Sequence, residues 1–178
     1  MEFDESQLKI KKSLSVCPGL LDAQGTTKFL DIRRAVIERE SEDLAVIAKL
    51  EHELHGEILF EGARYSLEQE RARLLERQEG RERDNVILAE VDGAARGHSV
   101  YSIMMGYCFI SSLYVAREFR ARGIGARLLE LVIKDARHRE AVQVHLTPGG
   151  NSESFYKKQG FTNLGDDPKH KELILNLA

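Results

Sequence analysis

Cysteine is scarce in this chain. Only Cys17 and Cys108 occur in 178 residues, far apart, with no Cys-x-x-Cys and no Cys/His ligand spacing. A disulfide framework and a zinc site are therefore not expected, and a reducing compartment suits the chain better. Long apolar runs are lacking as well. No stretch approaches the roughly 18 apolar residues of a membrane span. Residues 1–12 are charged and polar, without the apolar centre of a signal peptide. A cytoplasmic location with no membrane partner is the expectation. Excess charge of one sign is missing too. Formal net charge is −3, so broad affinity for nucleic acid is not expected. No repeats or low-complexity segments appear.

What is present suits one domain long enough to bury a core. Residues 1–28 read as an N-terminal extension. Leu8, Ile10, Leu14 and Val16 alternate loosely before Pro18-Gly19 and Gly25 break the pattern. The body, residues 29–178, opens with a strand over 32–37. Ser41 is a plausible N-cap, with Glu42 and Asp43 in the first turn and Leu44, Ile47, Ala48 and Leu54 at helical spacing. A connecting stretch with Gly56 and Gly62 follows. Ser66 and Gln69 fit a capping box that opens a second helix to about Arg77, whose charge run reads as a solvated face.

Residues 86–91 read as a strand, and Asp92-Gly93 is the strongest hairpin signal in the chain. Strands over 95–105 and 107–116 follow, with a reversal at Gly106 between them. A helix over 123–139, a strand over 141–147 and the loop Pro148-Gly149-Gly150 come next. Asn151 reads as the cap of a short helix that Gly160 stops, and 171–177 as a last strand. The expected architecture is a single-domain α/β (α+β) fold, a mixed and mostly antiparallel sheet with helices on both faces.

The chemistry concentrates in residues 119–129, FRARGIGARLL. Arg120-x-x-Gly123-x-Gly125 sits where a strand turns into a helix. Glycines there admit a ligand close to the backbone, and a helix N-terminus offers free N–H donors and a positive dipole end. With Arg120, Arg122 and Arg127 nearby, an anionic ligand such as a pyrophosphate is suited. No Gly-Lys-Ser/Thr follows, so this is not a P-loop. Leu128 replaces the third glycine of a dinucleotide fingerprint, which disfavours a nucleotide-binding oxidoreductase.

Three segments together resemble the GCN5-related N-acetyltransferase (GNAT) superfamily. VILAEVDGAARGHSVYSI is similar to its central hairpin. ISSLYVAREFRARGIGARLLELVI is similar to its acetyl-CoA-binding segment, and VQVHLTPGGNSESFYKKQGF to the strand and helix that follow. The resemblance implies a site. Leu113, Tyr114 and Val115 would pair their backbone with the pantetheine arm, on a strand splayed from its parallel neighbour. Arg120, Arg122, Gly123, Ile124, Gly125 and Ala126 would hold the pyrophosphate, and Asn151 would touch the cosubstrate or simply cap its helix. Tyr156 is the implied general acid, with a packing aromatic as its plainer role. The implied reaction is direct attack of a neutral amine on acetyl-CoA, with a backbone N–H such as that of Val115 at the oxyanion and no metal.

The chain departs from the family in one respect. Many relatives carry a carboxylate just before the Leu-x-Val triplet, where this chain has Ser111 and Ser112. The acceptor then needs a low-pKa amine, or the base lies elsewhere. LEHELHGEILFEG, read as the loop after the first helix, lines the acceptor side in the superfamily. Glu51, Glu53, Glu57 and Glu61 there, Glu51 and Glu53 foremost, would favour a cationic acceptor such as a polyamine, an aminoglycoside or a peptide amine. A second function class is a non-catalytic acyl-CoA-binding, regulatory module. Another acyl donor and a homodimer are both compatible with the resemblance.

Overall fold

A computed structural model describes residues 28–58, 65–79, 83–165 and 171–177. The proposed N-terminal extension, apart from Lys28, and Glu61 lie outside them. Among the described residues, seven strands form one sheet in the order β1-β2-β3-β4-β5-β7-β6. They are β1 (Leu30–Arg34), β2 (Asn85–Val91), β3 (Ala94–Met104), β4 (Tyr107–Val115), β5 (Gln143–Leu146), β6 (Thr162–Asn163) and β7 (Leu173–Asn176). Every neighbouring pair is antiparallel except β4 with β5. The two hairpins fall where the turn residues put them. Asp92-Gly93 and Met105-Gly106 hold positive φ at both central positions, the type I′ geometry that matches strand twist.

The helices are α1 (Glu42–Ile58), α2 (Leu67–Glu76), α3 (Ile124–His138) and α4 (Glu153–Lys158). Helix α1 covers one face of the sheet, where Glu51 meets His98 of β3. Helix α3 covers the other, where Asp135 meets Tyr101 of β3. Apolar side chains from both layers form one core that includes Leu44, Ile47, Val100, Leu128, Val132 and Val144. The capping box of α2 is complete, with Ser66 and Gln69 each bonding the other's backbone. Gly160 (φ 90°) ends α4 as expected: Gly160 N–H bonds Lys157 C=O and Phe161 N–H bonds Tyr156 C=O.

Three expectations need correction. Strand β1 ends at Arg34, before the β-branched Val36 and Ile37. The start of α1 captures that segment instead: Asp43 accepts from Val36 N–H at 2.8 Å, and Ser41 Oγ donates to Val36 C=O at 2.6 Å. Helix α1 does not stop near Leu54 but runs through Gly56 to Ile58. A helical glycine costs about 1 kcal/mol, and the ties of Glu57 to β4 and Arg120 offset it. The acidic stretch is therefore helix end, not loop. Ser152, not Asn151, is the N-cap of α4, and its hydroxyl bonds back to Gly149 C=O at 2.8 Å.

One feature of β4 positions the site. Strand β3 pairs Val100 with Ser112 but Tyr101 with Ile110, so Ser111 is the extra residue of a β-bulge. Before the bulge, Cys108 and Ile110 are buried on the α3 face. After it, Ser112 and Tyr114 point at α1. Pairing with β5 stops at Ile110 and Leu146. Beyond that point β4 and β5 part, as the resemblance implied.

Candidate active site

The parting opens a cleft of about 800 Å³. Ile110 to Val115 line one wall, Leu146, Thr147 and the 149–152 turn another, and Leu54, Glu57 and Ile58 of α1 a third. The start of α3 closes one end, and Phe155 and Tyr156 of α4 face it.

Strand alternation decides which backbone groups look into the cleft. Ala116 N–H bonds Arg96 C=O on β3, and Ser112 C=O accepts from Ser99 Oγ on the same side. Even-numbered residues after the bulge thus turn to β3. Leu113 and Val115 point their N–H and C=O groups the other way, toward the side that β5 has left. A substrate with amide groups can add itself there like a strand.

At the far end, Gly123 is the N-cap of α3 with φ 82°, a conformation that suits glycine. The first helical bond runs from Arg127 N–H to Gly123 C=O. The N–H groups of Ile124, Gly125 and Ala126 precede it and are free of helix partners. Gly125 has ordinary helical space, yet a Cβ there would sit 3.6–3.7 Å from Phe155, Leu113 and Val115, all cleft-lining residues. A side chain at this point would grow into the cleft. Together, a strand edge leading to a helix N-terminus suits a long amide-bearing chain that ends in phosphate.

The arginines behave differently from the simple expectation. Arg120 turns its guanidinium toward α1: Nη2 lies 2.8 Å from both oxygens of Glu57, and Nε donates to Val115 C=O at 2.8 Å. It also sits 5.4 Å from the centre of the Tyr114 ring. Arg122 lies over Phe119 at 5.7 Å and does not line the cleft. At this end of the cleft the free backbone N–H groups, more than these side chains, are the donors that face it.

Tyr156 is buried in the cleft wall between Phe155 and Phe161. Burial pushes its phenol up to about 12. Asn151 is exposed on the turn that lines the cleft.

The acidic residues divide by their helical phase. Glu57 lines the cleft. Glu53 meets Tyr114 OH at 3.3 Å beside Glu57 at 3.2 Å, and the buried phenol is pushed up by desolvation and by these carboxylates. Glu51 is buried behind β4 and is not itself a cleft-lining residue. Its Oε1 accepts from Ser112 Oγ at 2.5 Å and from His98 Nε2 at 2.6 Å. Burial alone would raise Glu51, but the hydrogen bonds from His98 and Ser112 and the charges of His98 and His55 outweigh it, and the carboxyl falls to about 2. His55 bonds Glu70 through Nδ1 at 2.5 Å, and Glu70 pairs with Arg73 at 3.0 Å. Glu51, His55 and Glu70 bring ligand-type atoms within 4.8 Å of one another, but hydrogen bonds within the cluster already engage them.

Sequence reasoning placed Glu57 on the acidic acceptor side but missed the buried cluster around Glu51. Nothing local signals that cluster, because Glu51 lies 47 residues from His98 and 61 from Ser112. The charge run after α2 is also more than a solvated face, since Arg77 Nη2 donates to the bulge residue Ser111 at 2.5 Å.

No helix of the described residues is long and apolar enough to cross a membrane. The model of the acetyltransferase (GNAT) family matches residues 44–161. A search of curated proteins finds no match. Among solved structures, the fold is similar to PaiA N-acetyltransferase from Thermoplasma acidophilum in complex with coenzyme A. Identity is 20%, the TM-score 0.65, and the match covers 83% of this chain and 98% of that one. N-acetylglutamate synthase from Neisseria gonorrhoeae, complexed with coenzyme A and N-acetyl-glutamate, is similar at 22% identity and TM-score 0.63 over 84% of this chain and 35% of that one. A ribosomal-protein-alanine N-acetyltransferase from Brucella melitensis is similar at 23% identity and TM-score 0.62 over 82% and 99%. At these identities the likeness is one of fold. The family model, spanning most of the sheet and the whole candidate cleft, carries the assignment further: the chain belongs to the GNAT family of acetyltransferases.

Proposed function

We propose that the protein is an N-acetyltransferase that moves an acetyl group from acetyl-CoA to a primary amine by direct attack, both substrates lying in the one cleft. The observation that carries this is the continuous path from the strand edge left open at Leu113 and at the N–H of Val115 to the free N–H groups of Ile124, Gly125 and Ala126. The pantetheine amides suit the first and the pyrophosphate the second. Asn151, on the rim, is a further contact for the arm.

Tyr156 serves the leaving side. A phenol raised to about 12 stays protonated, so it can donate to a departing sulfur at neutral pH. Full transfer to a thiolate of reference pKa about 8.5 is uphill, so Tyr156 acts first as a hydrogen-bond donor. Val115 N–H points to the open side and can donate to charge developing on the carbonyl oxygen. Holding both reactants in one cleft removes much of the entropic barrier.

The acceptor enters from the α1 side, past Glu57 and Tyr114. Glu53 and Glu57 give that mouth negative charge, which suits a cationic amine. An α-amino group of pKa near 8 loses its proton at pH 7 at a cost of about 1–1.5 kcal/mol, against about 4–5 for a lysine-like amine. An amine of low pKa is therefore the favoured nucleophile.

The test is release of the CoA thiol from acetyl-CoA against polyamines, aminoglycosides, amino acids and alanine-led peptides, with Tyr156→Phe as control. Release that depends on one amine class and falls at least tenfold in the control supports the reading. Binding of acetyl-CoA without release against any amine would favour an acyl-CoA-binding module.

A further inference from the structure

The two serines that replace the expected carboxylate are held in opposite senses. Ser111, the bulge residue, takes an N–H from Arg77 on its oxygen, which leaves its own proton free to donate. Ser112 gives its proton to Glu51 at 2.5 Å, so only lone pairs remain on its oxygen. An ionised carboxylate cannot return a proton, and no rotation of the hydroxyl keeps this bond and donates elsewhere. Ser112 also lines the cleft, on the side where α1 and Glu57 lie.

Glu51 is held from β3, β4 and its own helix, and burial together with the Glu51 charge raises Asp84, just ahead of β2. His98 of β3 donates through Nε2 at 2.6 Å, and that ring is wholly buried, with Nδ1 unpartnered among the described residues. His55, one turn along α1, lies 3.8 Å from Oε2. Glu70 and Arg73 of α2 hold His55 in turn. Ser112 is fixed as well, since its C=O accepts from Ser99 Oγ at 2.9 Å.

We propose that Ser112 receives an N–H of the acceptor amine, and that Glu51 and His98 are positioning residues that keep its hydroxyl turned as an acceptor. An amine nitrogen that donates one hydrogen to Ser112 has its lone pair oriented for attack. Glu51 stays ionised above about pH 2, so it does not take up the amine's proton at working pH. That proton leaves to water. The carboxylate thus contributes direction, not basicity, and it does so from α1 where many relatives would carry it on β4.

The inference rests on the acetyl-transfer reading, and one experiment separates the two. The probe is the fastest acceptor among spermidine, an aminoglycoside, free amino acids and an alanine-led peptide. Values of kcat, KM and kcat/KM are measured from pH 5 to 9 for the wild type, Ser112→Ala, Glu51→Gln and the double variant. Melting temperature and acetyl-CoA affinity are followed in parallel. Ser112→Ala is expected to lower kcat/KM for the amine about ten- to a hundredfold, the range of one hydrogen bond to a charged partner. Glu51→Gln carries an amide N–H as well as an oxygen, so it no longer forces the Ser112 hydroxyl to donate, and kcat/KM should fall by up to the same factor. In the Ser112→Ala background the Glu51→Gln change should add nothing, because no hydroxyl remains to orient. The pH profile should follow the amine's own ionisation in all four proteins.

Three results overturn the proposal: wild-type kcat/KM in Ser112→Ala, additive losses in the double variant, or a pH limb that disappears with Glu51→Gln. The last would make the Glu51–His98 pair a base. If no amine of the panel reacts while acetyl-CoA still binds, the acetyl-transfer reading itself fails and the inference falls with it.

Discussion

The sheet holds a buried carboxylate on each face, and the two are used differently. On the α3 face, Asp135 accepts from Tyr101 OH at 2.7 Å and pairs with Arg34 at 3.1 Å and Arg139 at 3.3 Å. Two permanent cations neutralise it, and none of these groups lines the cleft. On the α1 face, Glu51 pairs with no arginine among the described residues. It is held by a histidine and by a serine that lines the cleft. The first arrangement fastens a helix to a sheet. The second fastens a helix to a sheet and also sets the polarity of a hydroxyl in the site. A buried acid is thus read by what its partners touch, not by its burial.

The comparison can be broken in three ways. Asp135→Ala leaves the buried Tyr101 hydroxyl without its acceptor and the partly exposed Arg34 and Arg139 without their shared acid, and should cost about 2–4 kcal/mol of stability. Chemical denaturation would measure it, and kcat/KM per folded molecule should be unchanged. A loss of activity without a loss of stability would erase the distinction between the faces. Tyr101→Phe keeps both ion pairs and removes one hydrogen bond to a charged group, so about 1.5–3 kcal/mol is expected, again with normal kinetics.

Acid supplies the most selective effect. Glu51 is depressed from 4.5 to about 2, so its contribution is fully present above pH 4.5 and is lost as pH falls toward 2. Stability between pH 4.5 and 2 should fall less steeply in Glu51→Gln than in the wild type. Parallel curves would mean that Glu51 is no better held in the folded protein than in the unfolded chain. Ser112→Ala should flatten the same limb only in part, since His98 remains.

What was legible in the sequence follows the range of each interaction. The type I′ hairpins at Asp92-Gly93 and Met105-Gly106, the capping box at Ser66 and the stop at Gly160 are local, and each was placed within a residue or two. The helix N-terminus at Gly123 and the glycines around it were readable for the same reason. Helix α1 outran its expected end because Glu57 and Ile58 are held by β4, Arg120 and the cleft, which no local pattern carries. The bulge at Ser111 was invisible because a bulge is a property of two strands in register. Glu51 was named as an acceptor-side residue from its charge and from the place of its segment in the superfamily. Its burial, and its pairing across 61 residues to Ser112, follow only from how α1 lies on the sheet. Arg120 was read from its place in a motif, and its side chain answers instead to Glu57 and the Val115 carbonyl.

We read the parted strands and the start of α3 as one seat for acetyl-CoA. The seat is tested most directly by calorimetric titration of acetyl-CoA into the wild type and Gly125→Val, with the melting temperature of each. A Cβ at residue 125 clears its neighbours at 3.6–3.7 Å, so the fold should tolerate the change, while the branched methyls intrude between Phe155, Leu113 and Val115. The expected result is a native melting temperature with binding abolished. Unchanged affinity in Gly125→Val would mean that acetyl-CoA does not run along this path.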